Sequence, residues 1–511
     1  LDLWWLAPFS LVPLLVAIRD VSWRRASGLG LIAGFVLHIG AQSWWFGLLR
    51  RFAHLPVPAA LGCSAAAIAW SAVEFAAWVW LARALADRAR LPWIAAGPLA
   101  VGMVEAIWPA LFEWHLGVLL WRAWPLVQVA ELGGAASVSA LVVLINAVVT
   151  EVVIALRMRR APGWPASIGG GIAGVVIAAG VVRAQAIDSM QAAAPKVDVG
   201  IVQPNFGPMT LEERSREGRH VVAALRNATR ELAEAGAELI VWPESAWPYL
   251  WDRRRDQDFP VRHPWSLRER PSATLLLGTL THPFGSGELY NSAVLLREDG
   301  QVGGISDKLE LVAFSEYVPF GDRFPIWRDL VKRQLRERPD ILLGERAVVL
   351  ENGSVRMGVL ICSEDLDGRA ALAKSALGAN LLVSMANDGW FEGSAAVQQH
   401  LALASLRAVE TRRHLVRVTT NGVSAHVDAV GRLRLEGPVV AARPGERKPA
   451  TTLRVQAALL SDPTLDGVTI RYFSHACAAL TCACLLGSVR ARPRARRPRR
   501  LASHPTGSGT R

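Results

Sequence analysis

Two kinds of apolar patterning divide the chain. Uninterrupted apolar stretches of roughly 17 residues or more, enough to cross a bilayer, fall near 1–18, 27–49, 59–82, 93–118, 132–156 and 166–185, with one more at 468–487. Between the sixth and seventh, short apolar runs alternate with amphipathic segments, the pattern of an α/β layered domain. Strands are expected at 197–203, 238–242, 274–278, 293–296, 355–362, 380–385, 415–420 and 425–430, and helices at 369–377 and 395–412. Thr210 with Glu213 forms a capping box that predicts a further helix running to about 235. No repeat of solenoid length is present.

The short loops between the apolar stretches alternate in basic content. Arg19, Arg24 and Arg25 lie in one, Arg83, Arg88 and Arg90 in another, and Arg157, Arg159 and Arg160 in a third, while the intervening loops hold only Arg50 with Arg51, and Arg122. Basic loops stay on the cytoplasmic side, so the α/β region is expected outside. The expected organisation is therefore a polytopic α-helical membrane domain at 1–186 with about six spans, an extracytoplasmic α/β domain at 195–465, a last span at 466–488, and a disordered cytoplasmic tail at 489–511. The same alternation puts Leu1 outside, and the chain starts without Met, so a first span is expected to be missing and the full protein to have eight.

Composition narrows the function. The net charge of +12 comes almost wholly from Arg, since Lys occurs only at 196, 308, 332, 374 and 448. Seven arginines between Arg490 and Arg500 have no aromatic residues among them to stack on bases, which favours an anionic lipid surface over nucleic acid. Of five cysteines, Cys63, Cys477, Cys482 and Cys484 lie in apolar runs, and only Cys362 sits in a mixed context. No disulfide framework, HExxH or clustered His/Cys spacing is visible, so neither metal nor cofactor is expected. A transporter reading lacks paired broken helices around a charged midplane.

Three reactive residues fall at or just beyond expected strand ends, where loops present side chains and a sheet holds them still. Glu244 follows LIVW-P, Lys308 follows GGISD, and Cys362 ends VRMGVLI. A thiolate attacks an acyl carbonyl, a carboxylate can take the thiol proton and return it to the leaving group, and an ammonium can hold the developing oxyanion. Taken singly, each has an ordinary reading: a solvated loop Glu, a surface Lys, a core Cys.

The surrounding motifs run VQPN (202–205), VWPESAWP (241–248), YNSAVLL (290–296), DKLELVAFSEYVPFG (307–321), GVLICSEDLDG (358–368), SMANDGWF (384–391) and QHLALASLRAVETRRHLVRVTTNGVSA (399–425). In that order, with APFSLVPLL (7–15) and VAELGGAASVSALVVLINA (129–147), they resemble the apolipoprotein N-acyltransferases, the membrane branch of the nitrilase superfamily. The resemblance implies a nitrilase-like αββα sandwich with a Glu–Lys–Cys triad at Glu244 (base), Lys308 (oxyanion) and Cys362 (nucleophile), assisted by Glu316 of the EYVP motif. Asn387, Asp388 and Trp390 are expected to shape the acyl or amine pocket, although a capping turn with a buried Trp reads equally well. Trp247 and Phe320 are expected near a lipid mouth, with ordinary packing as the alternative. The chain departs from the family pattern at Ser363, where an aromatic usually follows the nucleophile, and at Ala313 and Ser315 before EYVP.

By the same resemblance, Cys362 takes an acyl chain from a phospholipid as a thioester and passes it to the α-amino group of a diacylglyceryl-modified lipoprotein cysteine. The protein is then expected to be a monomer in the bacterial inner membrane with no nucleic-acid partner. Two alternatives stay open: a membrane-tethered carbon–nitrogen (amide) hydrolase using the same triad, and a non-catalytic scaffold for another membrane enzyme.

Overall fold

The computed structural model describes residues 3–490, apart from 208, 210, 261–262, 268–272, 336–339, 392, 443–445, 447 and 462–467. The Arg-rich segment 491–511 and Thr210 of the expected capping box therefore lie outside the described residues.

Helices occupy every apolar stretch, but unequally. Val57–Arg88, Ala130–Arg157 and Trp164–Ala193 are long and apolar enough to cross a membrane, and Trp23–Gln42 with Trp44–Arg51, bent by 51°, make a fourth if they form one span. The stretches expected at 1–18, 93–118 and 468–487 hold shorter apolar helices. The fourth stretch stops at Ile107 because Trp108, forced extended ahead of Pro109, cannot continue the helix. Helix Ala130–Arg157 is broken at Gly133 and Gly134, the latter at φ 63°. The ring of Phe473, on the C-terminal helix Val468–Arg490, lies 2.6 Å from where a Gly133 side chain would begin, so the last helix seats against that break only because no side chain is there.

Helix Trp164–Ala193 leads directly into the first strand of a two-sheet sandwich. One sheet runs in the order β13 (Thr451–Ala458), β1 (Lys196–Gln203), β2 (Leu239–Val241), β4 (Thr274–His282), β5 (Tyr290–Leu296), β6 (Val302–Asp307), with β3 (Trp251–Asp252) on β4. The other runs β12 (Leu433–Glu436), β11 (Ala425–Val427), β10 (His414–Thr419), β9 (Leu381–Ala386), β8 (Val355–Ile361), β7 (Leu350–Asn352). Val199, Ile201, Val241 and Leu276 of the first sheet meet Val359, Ile361, Val383 and Val416 of the second in a shared dry layer. Helix Leu211–Glu234 covers the outer face of the first sheet through Val222, Leu225 and Leu232, and helices Gly368–Ala376 and Ala395–Thr411 cover the second through Ala371, Ala404 and Ala408. The result is the αββα sandwich that the resemblance implies.

Each expected strand is present within a few residues. Strands β3, β6, β7, β12 and β13 and helix Pro325–Gln334 were not legible in the pattern; β6 carries Gly303 and Gly304, which erase its alternation and bring a register shift opposite Leu295 and Leu296.

The sandwich rests on the helical region through polar ties. Arg412 donates to Glu131 (2.7 Å) and to Gln128 (2.7 Å), Gln399 to the Ala41 carbonyl (2.7 Å), and Gln334 to the Ala53 carbonyl (2.8 Å).

Candidate active site

Parallel strands in each sheet point their carboxyl ends the same way, and loops leaving such ends are the natural place for reacting side chains. Glu244 follows β2, Cys362 follows β8 and Asp388 follows β9, while Lys308 follows the antiparallel β6 beside them. The β2 exit is held close to β4 by Gly278. A side chain there would begin 2.3 Å from the Pro243 carbonyl oxygen and 2.7 Å from Glu244 Cα.

These exits converge. The Glu244 carboxylate lies close enough to Cys362 for each to shift the other's protonation, and it accepts from Asn291 Nδ2 at 2.8 Å. The same Asn291 amide donates to Glu316 at 3.0 Å, so one side chain clamps both carboxylates. Lys308 Nζ donates to the other Glu316 oxygen at 2.8 Å, and that oxygen also accepts from the Val312 backbone N–H at 2.9 Å. Lys308 is 1% exposed, and Glu244 and Glu316 are 8% exposed, so their charges are felt at short range and low dielectric. Cys362 has φ 54°, a left-handed backbone that costs a side-chain-bearing residue about 1–2 kcal/mol and turns its sulfur out of the sheet.

Burial sets the direction of each protonation equilibrium before neighbours correct it. It works against the Lys308 ammonium, but Glu316, Cys362 and Glu244 outweigh it and hold Lys308 above its ordinary range. Burial lifts the Glu244 carboxyl; Lys308 opposes this and Glu316 reinforces it, leaving the value raised. Burial and the Glu244 charge push the Cys362 thiol well up, with Lys308 pulling the other way. At neutral pH the sulfur is thus a thiol with the Glu244 carboxyl beside it and the Lys308 cation nearby, a set suited to proton removal during attack.

Cys362 and Ser363 line a cavity of about 480 Å³ that runs away from the sandwich. Its walls are mostly apolar and come from both parts of the chain: Trp44, Trp45, Trp70 and Phe112 from the helical region, Phe314 and Phe391 from the sandwich.

The other expected site residues sit differently from one another. Asp388 is buried and ion-paired to Arg417 at 3.1 Å. The Asn387 side chain accepts from the Gly389 N–H at 3.2 Å, and Trp390 packs edge-on against Phe52 with its carbonyl bound by Arg51. Trp247 is 1% exposed, in the core under helix Leu211–Glu234, packed against Tyr249; Phe320 is 77% exposed. Sequence reasoning gave no part to Asn291, although it lies in the YNSAVLL motif, nor to Glu364, whose carboxylate accepts from the Leu309 N–H (2.6 Å) and Ile361 N–H (2.8 Å) and ties the lysine exit to the cysteine exit.

Fold and site together define a carbon–nitrogen-hydrolase-type sandwich carried on a helical region with candidate membrane spans. The carbon–nitrogen hydrolase family model matches residues 198–440, and that of the apolipoprotein N-acyltransferase N-terminal domain matches residues 1–148. The apolipoprotein N-acyltransferase of Gloeobacter violaceus is 31% identical over 441 residues, covering 83% of this chain and 80% of that protein. The protein of the same name from Geobacter metallireducens is 28% identical over 434 residues, covering 84% and 82%. Among solved structures, Saccharomyces cerevisiae Nit3, of the nitrilase superfamily, matches 55% of this chain and 94% of its own at 16% identity and a TM-score of 0.35. The chain belongs to the apolipoprotein N-acyltransferase family.

Proposed function

We propose that this protein moves an acyl chain from a phospholipid onto Cys362 and then onto the α-amino group of a diacylglyceryl-modified lipoprotein cysteine. The observation that carries the reading is the placement of Cys362. Cys362 is coupled electrostatically to Glu244 and Lys308 and also forms part of the wall of an apolar cavity built largely by the helical region. A lipid whose tail lies among those helices could bring its ester to the sulfur without the tail leaving an apolar surrounding, where each exposed methylene would cost about 0.8 kcal/mol.

In the first half-reaction Glu244 takes the thiol proton as sulfur attacks the ester carbonyl. The oxyanion draws on the Lys308 ammonium, and collapse breaks the ester C–O bond. Glu244 returns the proton to the leaving oxygen, releasing a lysophospholipid and leaving a thioester. In the second, the acceptor amine attacks that thioester, Glu244 takes a proton from its nitrogen, and the C–S bond breaks. The sulfur leaves as thiolate and regains its proton from Glu244. Glu316 and Asn291 keep Lys308 and Glu244 apart from solvent and in register. Apolar walls disfavour water at the thioester, which would turn transfer into hydrolysis. The Arg-rich loops favour an orientation with the sandwich on the extracytoplasmic side, where lipoproteins are exposed.

The test is mass spectrometry of the detergent-solubilised protein after incubation with phospholipid. An acyl-sized adduct on the Cys362 peptide, absent from Cys362→Ala and discharged by a diacylglyceryl lipopeptide, is the expected result. A folded protein that forms no adduct with any phospholipid overturns the reading and leaves the amide-hydrolase and scaffold alternatives.

A further inference from the structure

Behind the nucleophile lies a second buried charge cluster that the acyl-transfer steps do not use. Four segments distant in sequence contribute one charged group each: Asp365 from the turn Cys362–Asp365, Asp388 from the loop after β9, His400 from helix Ala395–Thr411, and Arg417 from β10. His400 Nε2 meets an Asp365 oxygen at 2.6 Å, and His400 Nδ1 meets an Asp388 oxygen at 3.0 Å. Arg417 binds the same two carboxylates, Asp365 through one terminal nitrogen and Asp388 through the other at 3.1 Å. Ser384 Oγ of β9 completes Asp365 with a bond of 2.5 Å. All five residues are buried.

The geometry fixes the charge of the imidazole. A carboxylate offers no proton, so each ring nitrogen facing one must carry its own hydrogen, and only the imidazolium has both. Two carboxylates then face two cations, and the cluster is neutral. The surrounding titratable groups agree: burial and Arg417 work against the imidazolium, but Asp365 and Asp388 outweigh both and lift His400 to about 9. The other ionisable groups on the wall of the cavity it shares are Cys362, Cys63 and Glu113. Neutral His400 would leave one nitrogen lone pair against a carboxylate and one buried negative charge without a partner.

Position gives the cluster its consequence. Asp365 ends the turn that Cys362 begins in a left-handed conformation, and a strained residue keeps its geometry only when its surroundings over-determine it. Glu364 anchors this turn on one side through the Leu309 and Ile361 amides, and the four-charge cluster anchors it on the other. Asp388 belongs to the loop that carries Phe391, a wall of the cavity, and His400 lines that cavity itself. The cluster thus joins the nucleophile turn to the cavity wall.

We propose that His400, as an imidazolium between Asp365 and Asp388, is a positioning residue that holds the Cys362 turn and the 387–391 loop in the geometry needed for acyl transfer. The proposal rests on Cys362 being the nucleophile. Its contribution is complete while His400 is protonated and is lost as pH rises through the value near 9, because the raised value belongs to the folded, paired state.

The experiment compares wild type, His400→Gln, and His400→Gln with Asp388→Asn in detergent micelles. It measures Cys362 acylation against phospholipid concentration and pH, and the titration of histidine Cε1 resonances. His400→Gln leaves an unpaired buried negative charge, and the expected loss is about tenfold or more in the acylation rate at saturating donor, with half-saturation changed about twofold at most. Adding Asp388→Asn removes the surplus charge and is expected to restore part of the rate, whereas a merely packing role would make the double variant worse. One resonance, missing in His400→Gln, is expected to titrate well above the ordinary 6.5. A resonance titrating at 6.5 or below overturns the proposal even if the variants fail to fold. Wild type and His400→Gln forming the adduct equally fast overturns the proposal alone; a wild type forming none overturns the nucleophile reading, and the proposal with it.

Discussion

Replacing Asn291 with Leu keeps the shape of a buried side chain, 4% exposed, and removes the amide that bonds both Glu244 and Glu316. A hydrogen bond to a charged group contributes roughly 1.5–3 kcal/mol, and one pKa unit is about 1.4 kcal/mol. The Asn291 bond favours ionised Glu244, whose value is already raised by burial, so its loss lifts Glu244 further. The base works only when ionised. Activity is therefore present above the Glu244 value and lost as pH falls through it, and Asn291→Leu moves that limb to higher pH. Single-turnover acylation of Cys362, followed by mass spectrometry from pH 5 to 9, should show a displaced acid limb and, near neutrality, a rate lower by roughly 10- to 100-fold. An acid limb unmoved in Asn291→Leu, with folding intact by thermal melting, would refute the clamp as the source of the base's ionisation.

Gly278→Ala would drive a methyl into the Pro243 carbonyl and the Glu244 backbone; a destabilisation of about 1–3 kcal/mol is expected, with loss of acylation even in the folded fraction, read by melting and by adduct yield. Arg412→Ala would remove a 2.7 Å ion pair, 97–98% buried, from the contact between the sandwich and the helical region while leaving Glu131 its bonds to Arg183 (2.6 and 2.9 Å), so a loss of about 1.5–3 kcal/mol is expected as a shift of unfolding in detergent, and Arg412→Ala with Arg183→Ala, which leaves Glu131 without either arginine, should cost more than the two single changes added together. Ala67→Phe places a ring in the acyl cavity wall; with mixed-chain phospholipids the mass of the Cys362 adduct should move to shorter acyl groups, by about fourfold per excluded methylene, and an unchanged adduct distribution would remove this cavity as the acyl site.

Short-range physics made much of this protein legible before any fold was known. Length and apolarity marked the helical stretches, and short apolar runs marked eight strands of the sandwich, because both reflect how much of a local element is kept from water. Residue type and place after a strand made Glu244, Lys308 and Cys362 candidates, and only the motifs around them singled them out. Strand β6 was lost because Gly303 and Gly304 remove the alternation, and the lysine exit was recognised from its motif alone. Trp247 and Phe320 show the limit of composition: both follow an active-site glutamate closely, yet one lies in the core and the other faces outward, since an aromatic ring fits either place and only the packing of helix Leu211–Glu234 distinguishes them.

Local sequence carried most of the elements and the candidates for the reacting side chains, each a property of a few neighbouring residues. Tertiary structure alone decided which distant groups share a charge or a wall. Asn291 touches two carboxylates that lie 47 and 25 residues away, and Asp365, Asp388, His400 and Arg417 meet in four charged contacts across four segments. The cavity beside Cys362 takes Trp44 and Trp70 from the opposite end of the chain. Local pattern cannot encode such meetings, because burying a charge is tolerable only once its partner has arrived, and that partner is brought by the packing of the whole fold.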